Sequence, residues 1–118
     1  MDLPCSDAVV PLHVVDARLP GAYLLTLRGD THSSCTSRLE EAFHHAAADG
    51  GPLIVDLGGL GFGDETLLGL LLDARGIGPV HLAGPISAAF QRRLDVTGTA
   101  DIFTIHPDLS QALAAFAP

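Results

Sequence analysis

The residues of this 118-residue chain that are most able to do chemistry are its carboxylates and its six histidines. Asp30 and His32 follow one predicted strand, and Asp64 follows another. Because open α/β sheets bind ligands at the carboxyl ends of their strands, these three side chains are candidates for an acid–base or metal site. No Cys/His ligand spacing accompanies them, and the adjacent His44 and His45 diverge by about 100° on a helix. We therefore expect no metal ion, no cofactor and no catalytic site, and hence a protein that is not an enzyme.

A glycine-rich segment, residues 58–63, precedes a predicted helix and superficially resembles a phosphate-binding loop. No Lys and no Ser/Thr follows it in the order that a phosphate-binding loop requires. Asp64 and Glu65 would also repel a phosphate group at that helix N-terminus. We interpret the segment as a flexible loop with glycines at positive φ, Asp64 as the N-cap, and Glu65 as a first-turn acid that the helix dipole favours.

Composition excludes several classes of function. The chain has 14 acidic and 6 basic residues, and its net charge of −8 repels nucleic-acid phosphates and anionic lipid. The N-terminus lacks a basic region, and the leucine-rich run at 67–72 is far too short to span a bilayer. Cys5 and Cys35 stand apart and are expected to be free thiols. We expect a soluble, cytoplasmic protein with no direct nucleic-acid binding and no membrane insertion.

Strands and helices alternate along most of the chain, after residues 1–7, which we expect to form a flexible lead-in to one domain at 8–118. Pro11 predicts an edge or a break in the first strand, and the short turn at 19–22 predicts an antiparallel hairpin. The predicted strands are 8–15, 23–28, 53–57, 80–83 and 102–105. The first predicted helix starts near the capping box at 37–40 and ends near 49–51. The other three predicted helices span 66–74, 87–96 and 108–116, and Pro107 is assigned to the first turn of the last one.

This order predicts an α/β fold with a mixed, mostly parallel sheet of about five strands, an antiparallel opening hairpin and about four helices. The helix at 66–74 is apolar on almost every side, so it is covered on two sides or leaves an apolar face for a partner. His81 lies in a predicted buried strand and is interpreted as a core residue with its hydrogen bonds satisfied. Arg92 and Arg93 are interpreted as part of a solvated helix face.

Five segments, in order from about Val9 to Ala115, resemble the STAS domain of bacterial anti-sigma-factor antagonists. They are Gly29-Asp30 after a strand; Leu53-Ile54-Val55-Asp56-Leu57 followed by Phe62-Gly63-Asp64; Leu82-Ala83-Gly84-Pro85 with Arg92-Arg93-Leu94-Asp95-Val96-Thr97-Gly98; Ile102-Phe103; and the closing Ala/Leu helix. The resemblance implies a non-catalytic module that regulates transcription by partner switching and binds an anti-sigma factor of the serine-kinase type.

The same resemblance implies a phosphorylation switch whose usual serine this chain lacks. Typical members begin the central helix with Asp-Ser-Ser/Thr-Gly, and the kinase phosphorylates the first Ser. Here Asp64 and Thr66 match the pattern, whereas Glu65 replaces that Ser and Leu67 replaces the Gly. Thr66 is left as a weak candidate phosphoacceptor. The partner-binding residues implied are Asp30, His32, Asp64, Glu65, Thr66 and Leu67.

Glu65 has three interpretations that the sequence leaves open. It imitates the phosphorylated state permanently, it marks a member that binds its partner constitutively, or it is only a favourable first-turn acid in a domain that has acquired another partner. Thr31 and His32 replace the Leu and Asp of the family and depart from it near the same end. The alternative function is that of a STAS accessory subunit that regulates the cytoplasmic ATPase of a membrane transporter.

Overall fold

The computed structural model describes residues 12–31 and 36–116. Its strands are β1 (His13–Leu19), β2 (Ala22–Asp30), β3 (Leu53–Phe62), β4 (Val80–Ala83) and β5 (Thr104–His106). Its helices are α1 (Thr36–Asp49), α2 (Glu65–Ile77), α3 (Ala88–Thr97) and α4 (Leu109–Ala114), with a short 3₁₀ helix at Ala100–Ile102. Some of the sequence predictions concern residues outside the described ranges. These are residues 1–7, which include Cys5, together with His32 and Cys35.

The five strands form one sheet in the order β1-β2-β3-β4-β5. β1 and β2 form an antiparallel hairpin, and the other neighbouring strands are parallel. The predicted α/β fold with a mixed, mostly parallel sheet is therefore confirmed. In the part of the chain that is described, no helix is both long and apolar enough to cross a membrane.

The sheet buries its two faces unequally. One face packs against α1, α2 and α3, and its core includes Leu25, Val55, Leu71 and Phe90, each with no exposed surface. The opposite face is covered near β3 and β4 by α4, through a smaller apolar cluster that contains Ala112. Because α1 and α2 lie on the larger core, the amino end of α2 is held at the edge where β2 and β3 end.

Helix ends follow the local signals in the sequence. Asp64, Ser87 and Asp108 each accept a hydrogen bond from a backbone N–H in the first turn of the helix that follows. Gly50 and Gly98, with φ of 79° and 69°, adopt the left-handed conformation just after α1 and α3. The predicted N-cap at Asp64 and the predicted stops at Gly50 and Gly98 are confirmed.

The glycine-rich segment at 58–63 is not the predicted flexible loop. β3 continues through it to Phe62, and the glycines at positive φ in the described chain are Gly21, Gly29, Gly50 and Gly98, none of them in this segment. Pairing with β2 extends β3, and the absence of side chains lets the two strands approach. A Cβ atom on Gly59 would lie 2.9 Å from the Arg28 Cγ, and one on Gly61 would lie 2.7 Å from the Asp30 Oδ1.

Other predicted boundaries are wrong by a few residues. β1 continues to Leu19 because Leu19 pairs with Ala22 across a two-residue turn. Ser37 lies inside α1 instead of capping it. Pro107 precedes the first turn of α4, since Asp108 is its cap. β5 starts at Thr104, after the 3₁₀ turn that contains Ile102.

Candidate functional site

The candidate site lies where the carboxyl ends of β2 and β3 meet the amino end of α2. The Thr31 N–H donates to the Phe62 carbonyl oxygen (2.8 Å) just past the last paired residues of the two strands. Asp30 holds the same junction from its side chain, since its Oδ1 accepts from the Phe62 N–H at 2.8 Å. These bonds join two strands of distant sequence and fix the direction in which the chain enters α2.

Asp64 is built into this junction by its backbone and its side chain. Its N–H donates to the Thr31 Oγ1 (2.7 Å), and its Oδ1 lies 3.1 Å from the same hydroxyl and 3.0 Å from the Leu67 nitrogen. The Thr31 side chain, only 1% exposed, is enclosed with its hydrogen bonds made. An N-cap of this kind contributes about 1 kcal/mol to helix stability. Asp64 therefore positions the helix, and its carboxylate is already committed.

Gly63 allows the chain to pass over the core directly before the helix. A Cβ atom at this buried position would lie 2.6 Å from the Phe90 Cε1 and 3.1 Å from the Leu67 Cδ2. The Phe90 ring is itself fully buried. A side chain at position 63 would therefore displace the amino end of α2 away from α3.

The Glu65 side chain carries its carboxylate at the surface of the first turn of α2. Its side chain is 93% exposed, and its Oε1 lies 3.8 Å from the Arg93 Nη1. An ion pair so exposed contributes about 1 kcal/mol at most. The carboxylate is therefore available to another molecule, while its backbone is fixed by Asp64 and Gly63.

Arg93 is not part of the solvated face that the sequence predicts for it. Its Nε donates to the Gly63 carbonyl oxygen (3.0 Å), and its guanidinium carbon lies 5.9 Å from the centre of the Phe62 ring. These contacts leave the side chain 27% exposed and join α3 to the segment that leads into α2. The neighbouring Arg92 is exposed, as predicted.

The other predicted site residues lie at different depths. Thr66 is half-buried in the first turn of α2, whereas the Leu67 side chain has no exposed surface. Leu67 therefore joins the site through the backbone N–H that Asp64 caps. His32 falls outside the described residues. Asp30 and Asp64 do lie at one end of the sheet, as the sequence predicts, and both carboxylates accept backbone hydrogen bonds there.

A second polar cluster lies on the opposite face of the sheet. The His81 Nδ1 is 2.9 Å from the His106 Nε2, and the two rings stack with their centroids 5.2 Å apart. The Phe116 ring meets His81 edge-on at 4.7 Å. Burial lowers the pKa of His81, and the neighbouring His106 lowers it further. The hydrogen bond of His81 is satisfied, as predicted, but the residue is half-buried and not part of the core that the sequence predicts for it. Its partner in β5 is not predictable from the sequence.

Two functional features of the site were missed from the sequence. Thr31 stands directly after a strand, which is a position where a short hydroxyl side chain can bond to a neighbouring loop. That position was the available signal. Arg93 gave none, because its acceptor at Gly63 is 30 residues away in sequence. Among the residues that the structure describes, no group of three or more His, Cys, Asp or Glu side chains could hold a metal ion.

Comparison with known proteins supplies a structural relationship. No family model matches the chain, and no curated protein matches it in sequence. An anti-sigma factor antagonist from Mycobacterium paratuberculosis is similar in structure, with a TM-score of 0.76 and 24% identity over 97% of this chain and 98% of that one. A STAS domain protein from Planctomyces limnophilus has a TM-score of 0.74 and 17% identity over 88% and 97% of the two chains.

The Bacillus cell fate determinant SpoIIAA in its phosphorylated form is also similar, with a TM-score of 0.67 and 14% identity over 90% of this chain and 99% of that one. The three proteins match almost their whole lengths to this chain, and two of them are named as anti-sigma-factor antagonists. The order of strands, the antiparallel opening hairpin and the four helices therefore correspond to a complete known domain. This chain has the fold of the STAS domain.

Proposed function

We propose that this protein is a non-catalytic regulatory module that binds an anti-sigma factor of the serine-kinase type and does so without the usual serine switch. The observation that carries the proposal is the exposed carboxylate of Glu65 at the amino end of α2, next to a cap in which Asp64 is hydrogen-bonded to Thr31 and Leu67. Two proteins of the same fold are named as anti-sigma factor antagonists, and a third, the Bacillus cell fate determinant SpoIIAA, is known in a phosphorylated form. The contact would centre on Glu65 and Thr66, with Asp30 and His32 at its edge.

The surroundings of Glu65 support a fixed binding surface. Thr31, Asp64 and Gly63 hold the backbone, so little conformational entropy remains to be lost there when a partner binds. Arg93 lies beside the carboxylate and offsets part of its charge. A glutamate side chain also lacks the hydroxyl group that a serine kinase phosphorylates, so position 65 cannot undergo the usual modification. Position 65 is therefore a constant feature of the proposed binding surface.

The direct test is the affinity of purified anti-sigma-factor kinases from the source bacterium for this protein, measured by calorimetry. We compare wild type with Glu65→Ser and Glu65→Ala, and use Glu41→Ala, an exposed glutamate on α1, as the matched control. If Glu65 is central to a constitutive contact, both substitutions at 65 weaken binding by about tenfold or more, which corresponds to about 1.4 kcal/mol. The Glu41→Ala variant should bind like wild type.

Other outcomes separate the interpretations of Glu65. A gain of binding in both Glu65→Ser and Glu65→Ala indicates a permanent imitation of the phosphorylated state. Equal affinity in every variant removes Glu65 from the contact. Failure of every kinase to bind any variant, or binding to a transporter ATPase in its place, contradicts the proposal.

The absence of a switch has its own test. After incubation of wild type with the kinase and ATP, we expect an unchanged mass. A gain of one phosphate that disappears in Thr66→Val would contradict this expectation and assign the switch to Thr66. Thr66→Ser, which keeps the hydroxyl, is the matched control.

A further inference from the structure

We propose that the groove between α1 and α2 is a second part of the partner-binding surface and that it receives a basic amphipathic helix of the partner protein. This inference rests on the proposed function, because it extends the binding surface that begins at Glu65. The groove is defined by two stripes of side chains, one on each helix. This α1–α2 groove is lined by Glu40, Phe43, His44 and Ala47 of α1 and by Leu70, Asp73, Ala74 and Ile77 of α2.

The floor of the α1–α2 groove is apolar and remains partly open. It is lined by Phe43 and Ala47 from α1 and by Leu70 and Ala74 from α2, with Ile77 at its far end. Ile77 is a large apolar residue, yet it is 63% exposed to water. The lining residues span positions 40–47 and 70–77, so the groove is about 10 Å long and can contact about two turns of another helix.

The rim of the groove is acidic. Glu40 on α1 and Asp73 on α2 line it on either side, together with His44. The arginines of these two helices are directed elsewhere, since Arg38 donates to the Val14 carbonyl oxygen and Arg75 to the Ile102 carbonyl oxygen. No basic residue lines the described groove apart from the histidine. An apolar floor between acidic rims complements an apolar stripe flanked by Lys or Arg.

The groove continues the candidate site along α2. Thr66, Leu70, Asp73 and Ile77 follow one another at intervals of three or four residues, so they lie on one stripe of the helix. The stripe begins at the turn that carries Glu65 and ends in the groove. A partner seated at the amino end of α2 can therefore extend along the same helix. A second copy of this chain is a poor occupant, because its net charge of −8 would oppose the acidic rim.

The test uses synthetic peptides and isotope-labelled protein. One stapled helical peptide of about 14 residues carries leucines along one face and lysines beside them, and its counterpart carries glutamates in place of the lysines. Amide chemical shifts report where each peptide binds. The protein variants are Asp73→Lys, which reverses a rim charge at an exposed helical site, and Asp95→Lys, an exposed site on α3 with the same change in net charge.

We expect the lysine peptide to shift amide signals of residues on the groove and the glutamate peptide to leave them unchanged. Asp73→Lys should lower the affinity of the protein for the lysine peptide by about tenfold, whereas Asp95→Lys should change that affinity little. Equal losses in both variants would show only attraction to net charge and would overturn the inference. So would an absence of binding, or shifts that map to another surface, including an interface between two copies of the chain.

The anti-sigma factor separates this inference from the proposed function. If an anti-sigma factor binds and its affinity falls with Glu65→Ala and with Asp73→Lys, both are supported. If its affinity falls with Glu65→Ala alone, the groove is excluded while the proposed function stands. If no anti-sigma factor binds, the proposed function fails, and the peptide measurements still decide whether the groove receives a basic helix.

Discussion

Two polar clusters on opposite sides of the sheet use hydrogen bonds for different purposes. At the amino end of α2, Thr31 and Asp64 are hydrogen-bonded to each other, and the neighbouring Glu65 side chain is exposed to water. On the α4 side, His81 and His106 bond to each other beneath Phe116. The first cluster supports a charge that another protein can contact, whereas the second joins two neighbouring strands beside α4. A satisfied polar cluster indicates binding only where it holds an exposed group in place.

Gly63→Ala should cause the largest loss of stability, because its methyl group would lie too close to the buried ring of Phe90. We expect a fall of about 3 kcal/mol in the free energy of unfolding, measured by urea denaturation. Gly69→Ala is the matched control. Its added methyl group meets open space within α2, so stability should rise by about 0.5–1 kcal/mol. Equal stability of the two variants would contradict the close packing described for Gly63.

Thr31→Val should come next, with a loss of about 2 kcal/mol. The substitution keeps the shape of the side chain but removes the oxygen that accepts from the Asp64 N–H and bonds to its carboxylate. Amide hydrogen exchange at residues 64–67 should also accelerate, because the helix end is released. Thr104→Val, at an exposed position in β5, is the control and should change neither quantity. Slow exchange at 64–67 in Thr31→Val would show that Thr31 does not hold the helix.

The histidine cluster predicts a smaller, pH-dependent effect. The folded state lowers the pKa of His81 below its ordinary value of 6.5, so below that pH the unfolded chain binds more protons than the folded one. This contribution to stability is fully present above about pH 6.5 and is lost as the pH falls through the lowered value. In His81→Gln the decline in stability between about pH 7.5 and pH 5 should be shallower than in wild type. Equal slopes in His81→Gln and wild type, measured by urea denaturation at each pH, would contradict this prediction.

Glu65→Gln should have the smallest effect on stability, within about 0.5 kcal/mol, because the side chain is exposed and its pairing with Arg93 is weak. A larger loss, measured by the same urea titration, would assign Glu65 to the structure and not to binding. Arg93→Lys is a useful companion variant. It keeps a positive charge but loses the geometry that bonds to the Gly63 carbonyl oxygen, so its effect should exceed that of Glu65→Gln.

The sequence could predict those parts of the fold that depend on neighbours along the chain. The N-cap at Asp64, the first-turn position of Glu65 and the stops at Gly50 and Gly98 are local features, and each was foreseen. The extension of β3 was not, because glycine disfavours strands and the segment at 58–63 is mostly glycine; it becomes a strand through its pairing with β2. A strand of that kind is recognisable only after its neighbour is known.

The parts of the site that could not be predicted join residues that are far apart in sequence. Thr31 bonds to Asp64 across 33 residues, Arg93 to Gly63 across 30, and His81 to His106 across 25. Hydropathy patterns carry no information about such pairs, because either residue alone fits a loop, a helix face or a strand. The fold class could therefore be derived in advance, whereas the support beneath Glu65 required the three-dimensional structure.

The most direct test of the central claim is a residue-resolved map of amide hydrogen exchange for this protein, alone and bound to an anti-sigma factor of the serine-kinase type. We expect binding to slow exchange around Glu65 and Thr66, at the amino end of α2, and to leave exchange in β5 and α4 unchanged. Slowed exchange confined to β5 and α4 would contradict this expectation. The binding surface would then lie with the histidine cluster, and Glu65 would be only a favourable first-turn acid.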